Sequence, residues 1–439
     1  MSKTFRPWDV DQAWILPPTL ADFVPAGHVA HFIRDTVRHD LDLRAILDCY
    51  EEERGFPPFH PAMMVALLLY GYSRGVYSSR RLAQACEERL DFMAVTAMNR
   101  PDFRTIAKFR RRHLKALGDL FVQVLKLCRT AGLVKLGHVA LDGTKLQANA
   151  SVHKAMSYAR MRDAEKKLAA EVEAWFVRAE ASDTAEDGAL GEARGDEMPD
   201  WVANKVERLA RIRAAKAALE AEAKAPPPDD DDEGPGPSSG MGLKAGRPQR
   251  GADGGPPDRA QRNFTDPDSR IQPVRKGFIA GYNAQIAVDA AHQIIVAQRL
   301  QTNPADRGAL KPLLADLRRA LRANPKEVSA DSGYCSQANL AHLARRRIGA
   351  YIAAGRAGHP GQPPREKGTR IAAMARKLRR AGRRSRYRLR KQVVEPVFGQ
   401  IKGARGFRQF LLRGLARVKH EWAMICTAHN LLKLHNGLA

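Results

Sequence analysis

Residues 137–146 read GHVALDGTKL, and residues 327–334 read EVSADSGY. Each is a short apolar run that ends in aspartate, with glycine one or two places on. That is the pattern of a buried strand presenting a carboxylate near its end or on the following turn. An Asp-Gly pair alone is an ordinary turn signal, so the weight rests on what lies between and after the two stretches. Residues 278–288 (FIAGYNAQIAV) and 293–300 (QIIVAQRL) alternate or run apolar like paired strands, joined by a tight turn at 289–292. A helix is predicted over 309–321, another over 340–347, and a short strand over 349–353. The order is therefore strand, insertion, strand, strand, helix, strand, helix, strand, helix, which makes an α/β fold with a mixed sheet and flanking helices. Asp306 reads as a helix N-cap and Asp289 as a turn residue.

The last helix of that series holds the third acid. Residues 387–403 read YRLRKQVVEPVFGQIKG, with Val393, Val394, Val397, Phe398 and Ile401 at helical spacing. Glu395 and Lys402 lie two turns apart and share a face. From Arg365 to Lys391 there are thirteen Arg or Lys residues against one acid, Glu366. Asp142, Asp331 and Glu395 gathered at one end of a sheet would repel one another unless cations stood between them. Mg²⁺ is the natural occupant, held by carboxylates, water and substrate phosphate oxygens. Two such ions about 4 Å apart stabilise the attacking and leaving oxygens of an in-line phosphodiester displacement. The basic run from Arg376 to Lys391 would hold a phosphate backbone against them.

The rest of the chain is read by composition and pattern. The 439 residues carry a formal net charge of +25, which favours a polyanionic partner, most often nucleic acid. Residues 1–130 read as helices broken by short turns. Pro61 opens one, Ser78 and Ser79 are good caps for the next, and Asp102 starts a basic one. Helix, turn, capped helix and basic helix suit a helix-turn-helix-like reader of DNA. Arg80, Arg81, Arg104, Lys108, Arg110, Arg111 and Arg112 are its candidate phosphate contacts. Residues 158–225, rich in Ala, Glu, Lys and Arg, predict a helical hairpin, and 226–270 a disordered linker. The domain scheme is a helical DNA-binding domain at 1–130, a catalytic domain at 131–157 and 271–439, and an insertion at 158–270.

Several function classes fall away. Five scattered cysteines with no C-x-x-C spacing give no disulfide framework or zinc site, and point to a reducing cytosol. His113, His138, His420 and His429 form no metal-hydrolase pair, and no P-loop is present, so no nucleotide cofactor is expected. With no secretory leader pattern and no apolar run long enough for a bilayer, a cytoplasmic, nucleoid-associated protein without membrane contact is expected.

The blocks ALDGTK, SADSGY and VVEPVFGQIKG, with FRPWDVDQAWILPP at the start and GFIAGYNAQIAVD between, resemble bacterial insertion-sequence transposases of the DDE type. The resemblance covers most of the chain outside the linker, and its force lies in the combination and order of the blocks. It implies an RNase H-like catalytic domain with Asp142, Asp331 and Glu395 as catalytic and metal-binding triad. It implies two Mg²⁺ ions, for which Mn²⁺ can substitute. It also implies double-stranded DNA as partner, both element ends and target, and a dimer when assembled on it. The family often carries a tyrosine, arginine, glutamate and lysine signature around the last acid. Lys402 fits that pattern, whereas Arg390 and Tyr387 each stand one place from the expected position, and Lys391 occupies the arginine's place. All four are candidate DNA-handling residues. The activity implied is cleavage at terminal inverted repeats and 3′-OH strand transfer. The alternatives are a stand-alone nuclease of the same chemistry and a domesticated, non-catalytic DNA-binding protein.

Overall fold

The computed structural model describes residues 23–50, 58–186, 200–224, 254–274, 277–355 and 369–438. The N-terminal stretch 5–18 and residues 226–253 of the expected linker lie outside them. Among the described residues, seven helices come first: α1 (Val29–His39), α2 (Arg44–Leu47), α3 (Pro61–Ser73), α4 (Ser79–Glu88), α5 (Leu90–Thr96), α6 (Phe103–Arg112) and α7 (Leu114–Thr130). The caps read from the sequence are present. Ser78 accepts from the Arg81 amide, and Asp102 from the amides of Arg104 and Thr105. α3 is apolar on every side, and eleven of its thirteen residues are buried, which makes it the hub of the helical region. Arg80, Arg81, Arg104, Lys108 and Arg111 are all exposed.

Arg110 departs from the expectation that it meets phosphate. It is only 6% exposed, and its guanidinium donates to the Tyr77 carbonyl at 2.8 Å and to Ser79 Oγ at 3.0 Å. It ties α6 to the turn before α4. Arg112 is also engaged within the protein, donating to the Cys49 carbonyl at 2.6 Å with its guanidinium over the Tyr50 ring.

The sheet begins with β1 (His138–Gln147). After β2 (Ala155–Ser157) the insertion leaves as α8 (Tyr158–Glu186) and α9 (Asp200–Lys224), and the chain returns through β3 (Gln261–Asn263) and β4 (Arg270–Val274). β5 (Gly277–Asp289), β6 (Ile295–Gln301), α10 (Leu310–Leu321), β7 (Glu327–Ala330), α11 (Gln337–Arg345) and β8 (Gly349–Ile352) follow. α12 (Arg370–Ala381), α13 (Leu389–Gly399) and α14 (Leu415–Leu438) close the chain. β5 lies antiparallel to β1, β4 and β6, while β1, β7 and β8 run parallel in that order. This is the mixed sheet expected. Parallel neighbours need crossovers, and α10 and α11 belong to the two crossovers that bring the chain to β7 and β8. α14 packs against β6, α3 and α7, and Val418, Trp422, Met424, Ile425 and Leu431 on it are buried, so helices and sheet share one hydrophobic core.

The insertion is the helical hairpin predicted. Met161 and Leu168 of α8 pack on Leu209, Ile212 and Leu219 of α9 as a separate small core. Lys205 pairs with Glu171 at 2.7 Å and Lys216 with Glu165 at 2.7 Å, which makes the two helices antiparallel. The linker is shorter than expected. Regular structure resumes well before Gly277, because residues 254–270 carry polar groups that the fold uses. Tyr282 donates to both oxygens of buried Asp266 at 2.8 and 2.9 Å, and Asn263 Nδ2 donates to the Ser151 carbonyl at 2.7 Å. Composition registers prolines and glycines but is blind to such partners.

Arg110→Met removes the buried links between α6 and the α4 turn and leaves their acceptors unpaired. The variant is expected to lose about 2–4 kcal/mol of stability, against less than about 0.5 kcal/mol for exposed Arg111→Met. Urea denaturation midpoints of the two variants check this.

Candidate active site

The last paired residues between parallel β1 and β7 are Ala140 and Ser329. Beyond them the strands part, and a crevice opens at their C-terminal ends, where ligands of open α/β sheets bind. Asp142 and Asp331 each lie two residues past that last pair. They therefore occupy equivalent registers and point to the same side, because strand side chains alternate with period two. β1 continues to Gln147 beside β5, so Asp142 stands within the strand and its Asp-Gly pair makes no turn. Asp331 follows directly on β7 and caps a short 3₁₀ turn, accepting from the Gly333 amide at 2.9 Å.

A third carboxylate joins them, one read from the sequence as a helix cap. Asp306 makes no side-chain cap bond at its helical turn. Its Oδ1 instead accepts from Asn283 Nδ2 and Gln285 Nε2 of β5, each at 2.7 Å. Lys145 Nζ of β1 stands 3.9 Å from the same oxygen. The two glycines make room for this carboxylate. A Cβ on Gly143 would lie 2.2 Å from Gln285 Nε2 and 2.9 Å from Asp306 Oδ1. A Cβ on Gly333 would lie 3.1 Å from both Asp306 Oδ2 and Asp331 Oδ1. Asn283 and Gln285 are fully buried polar residues in an apolar strand. That was the available signal for the network, since buried amides need partners.

Burial and mutual repulsion set the electrostatics. Burial pushes the Asp142 carboxyl up to about 6; Arg390 opposes the shift, while Asp331 and Asp306 add to it. Asp331 is raised for the same reasons, burial first and Asp306 next. Tyr334, which donates to Gln285 Oε1, is held far above its ordinary value by burial and by the three aspartates.

α13 supplies the basic side of the crevice. Arg390 Nη1 donates to Asp142 Oδ2 at 2.7 Å, and its Nη2 lies 3.8 Å from Glu395 Oε1. The arginine side chain is 14% exposed and the Glu395 side chain 51%. Glu395 thus stands across the guanidinium from Asp142. Among the described residues, no three His, Cys, Asp or Glu side chains form a closed metal-binding group. The expected convergence of Asp142, Asp331 and Glu395 is therefore interrupted by Arg390. Chemically the donor set still fits a divalent cation. Its oxygens are hard ligands, and a divalent cation would compensate the charge of carboxylates whose pKa burial raises.

Pro396, next to Glu395, cannot donate within α13, which leaves the Gln392 carbonyl free. Gln293 Nε2 fills it at 3.0 Å. The helix then widens into a π turn at Gln400–Ala404, a feature that often marks functional sites. Lys402 in that turn donates to Thr144 Oγ1 at 2.9 Å and to the Lys145 carbonyl at 3.1 Å, clamping the strand that carries Asp142. Lys391 is exposed and Tyr387 partly so.

Residues 18–112 match the family described as Transposase domain (DUF772), and residues 255–431 match the Transposase DDE domain. No curated protein and no solved structure matches the chain. With both matches in order along it, the chain belongs to the insertion-sequence transposases of the DDE type. Such a family implies DNA as partner and a divalent metal as cofactor. Among the described residues no helix is long and apolar enough to cross a membrane.

The raised Asp142 carboxyl makes a prediction with a definite sign. The folded protein holds this proton more tightly than the unfolded chain does. In metal-chelated buffer, stability should therefore fall as pH rises from about 4 to about 6. The drop should be on the order of 2–3 kcal/mol. In Asp142→Asn the decline should be flatter, as read by denaturant titrations at pH 4, 5, 6 and 7.

Proposed function

We propose that this transposase binds the terminal inverted repeats of its own element, cuts the strands there with Mg²⁺ or Mn²⁺, and joins the freed 3′ ends to target DNA. The observation that carries the reading is the pair Asp142 and Asp331 in equivalent register at the mouth of one crevice. Fold stability gains nothing from burying raised carboxyls side by side, whereas a phosphoryl-transfer site needs them.

Asp142, Asp331 and Glu395 would hold the metal, with Asp306 beside them. A divalent cation bound there would offset charge on the phosphate under attack and activate the attacking water or 3′-hydroxyl. The protein's own groups do the rest. Lys402 keeps β1, and so Asp142, in place. Arg390, released from Asp142, is in position to meet the phosphate backbone, where a guanidinium binds bidentately. Tyr387 and Lys391 flank it. On the N-terminal helices the exposed Arg80, Arg81, Arg104, Lys108 and Arg111 would grip the duplex, with a slope against salt that counts the contacts. Two ends must be paired before joining, so a dimer assembled on DNA is part of the proposal, as is residence with the nucleoid. Residues 1–130, 131–157 with 271–439, and 158–270 serve as binding, catalytic and inserted segments in this scheme.

The test uses a labelled duplex carrying the repeat that flanks the gene. Cleavage at the element end should require Mg²⁺ or Mn²⁺ and stop with EDTA. Asp142→Asn, Asp331→Asn and Glu395→Gln should each cut at least ~10³-fold more slowly while binding the duplex normally. Binding without cleavage by the wild type would support the domesticated reading. Cleavage unaffected by Glu395→Gln but abolished by Asp306→Asn would make Asp306 the third acid.

A further inference from the structure

The inserted hairpin has a charged underside that the chemistry above does not use. Where α8 and α9 meet the two-stranded ribbon of β2 and β3, a groove of about 890 Å³ is lined by Lys154, Arg160, Arg208, Arg211 and Arg413. His153 and Phe264 are also in its walls, and no acidic residue lines it. A second hollow of about 490 Å³ shares His153, Lys154, Thr265 and Arg413 with the first and runs on to Gln147 and Asn149 at the end of β1.

The cations of this groove differ from their neighbours in how they are satisfied. On the outer faces of the insertion, Lys205 pairs with Glu171, Arg213 and Lys216 with Glu165, and Arg262 and Arg270 with Glu222. Inside the groove, Arg211 pairs with Glu207 of its own helix, and Arg413 donates to the Asn149 carbonyl. Lys154, Arg160 and Arg208 make no ion pair among the described residues and are exposed. Uncompensated cations spread along a channel suit a polyanion; a single small anion would need only a few of them.

The channel also points toward the chemistry. Its far end reaches Gln147, five residues along β1 from Asp142, or about 17 Å of strand. The two ends are joined rigidly. Lys402 clamps β1 at Thr144, and the Gln147 carbonyl accepts from the Phe410 amide at 2.9 Å. Phosphates along one DNA strand advance about 3.4 Å each, so the distance corresponds to about five nucleotides.

We propose that this groove is a second DNA-backbone site, in which the insertion holds the duplex about five or more base pairs from the phosphate being cut. The inference rests on the transposase reading and gives the insertion a role in it: fixing the register of the element end in the crevice. Its contacts are to phosphate, so they add affinity and position without reading sequence.

The test compares the full-length wild type with Lys154→Gln/Arg160→Gln/Arg208→Gln, on the element-end duplex and on an unrelated duplex of equal length. The groove variant should bind both about 10–100-fold more weakly. Its slope of log K against log salt should be shallower by about 2–3, near 0.9 for each lost phosphate contact. Ethylation interference should lose phosphates about five or more positions from the cut. Lys166→Gln/Lys167→Gln/Arg178→Gln, which removes three charges from elsewhere on the hairpin, should bind like wild type. Should the triple variant fold poorly by circular dichroism, Arg208→Glu alone should still weaken binding of both duplexes and flatten the slope. A groove variant with unchanged affinity and slope would overturn this inference and leave the transposase reading standing. A wild type that binds neither duplex would overturn both.

Discussion

The structure depends on holding Asp142, Asp331 and Asp306 in one crevice, partly out of water. Like charges so placed repel one another and weaken the fold around them unless something positive or polar intervenes. Much of the local architecture follows from that constraint. The register of β1 on β7 brings two of the acids level with each other, and the parting of those strands gives them space. Gly143 and Gly333 omit the side chains that would collide with the third acid and its partners. Asn283 and Gln285 turn buried amide groups of β5 onto Asp306. Arg390 supplies one positive charge from α13. A divalent cation would supply two, which is why the arrangement suits metal-dependent chemistry better than it suits stability.

α13 and the π turn after it connect this crevice to the rest of the molecule. Pro396 interrupts the helical hydrogen bonds next to Glu395, and the side chain of Gln293 repairs the gap from the sheet. Lys402 then bonds to β1 within three residues of Asp142. Burial lowers its pKa, as expected of an ammonium removed from water. The residue that resembles a DNA-handling lysine is thus engaged in holding a strand. Arg390 likewise spends its charge on the acids. Entry of a metal would change the partners of Arg390 and leave the clamp of Lys402 untouched, so the two basic residues have separable duties.

Much of this was legible in the chain. The strands carrying Asp142 and Asp331, the β5–β6 pair, the helix of Glu395, the caps Ser78 and Asp102 and the hairpin of the insertion all have local signals: apolar runs, turn residues, a capping side chain, helical spacing. Asp289, read as a turn residue, is the last residue of β5, and its carboxylate braces the turn that follows by accepting from the amides of Leu136 and Ala291. The misses share one cause. Asp306, Arg110 and residues 254–270 each owe their role to partners distant in sequence. Asp306 in particular has the local signature of a cap, and only the position of β5 turns it inward.

The sequence by itself determined the main strands and helices, that the chain carries an excess of positive charge, and that Asp142 and Asp331 lie on or next to buried strands. Those properties depend on residue type and spacing over a few turns. The tertiary structure alone decided that Asp142 and Asp331 share a register and that Asp306 is the acid beside them. It also decided that Arg390 separates Glu395 from Asp142 and that the insertion lines a groove with unpaired cations. Charge interactions act through space and fall off over a few ångströms. Their outcome is therefore set by which distant segments the fold brings together.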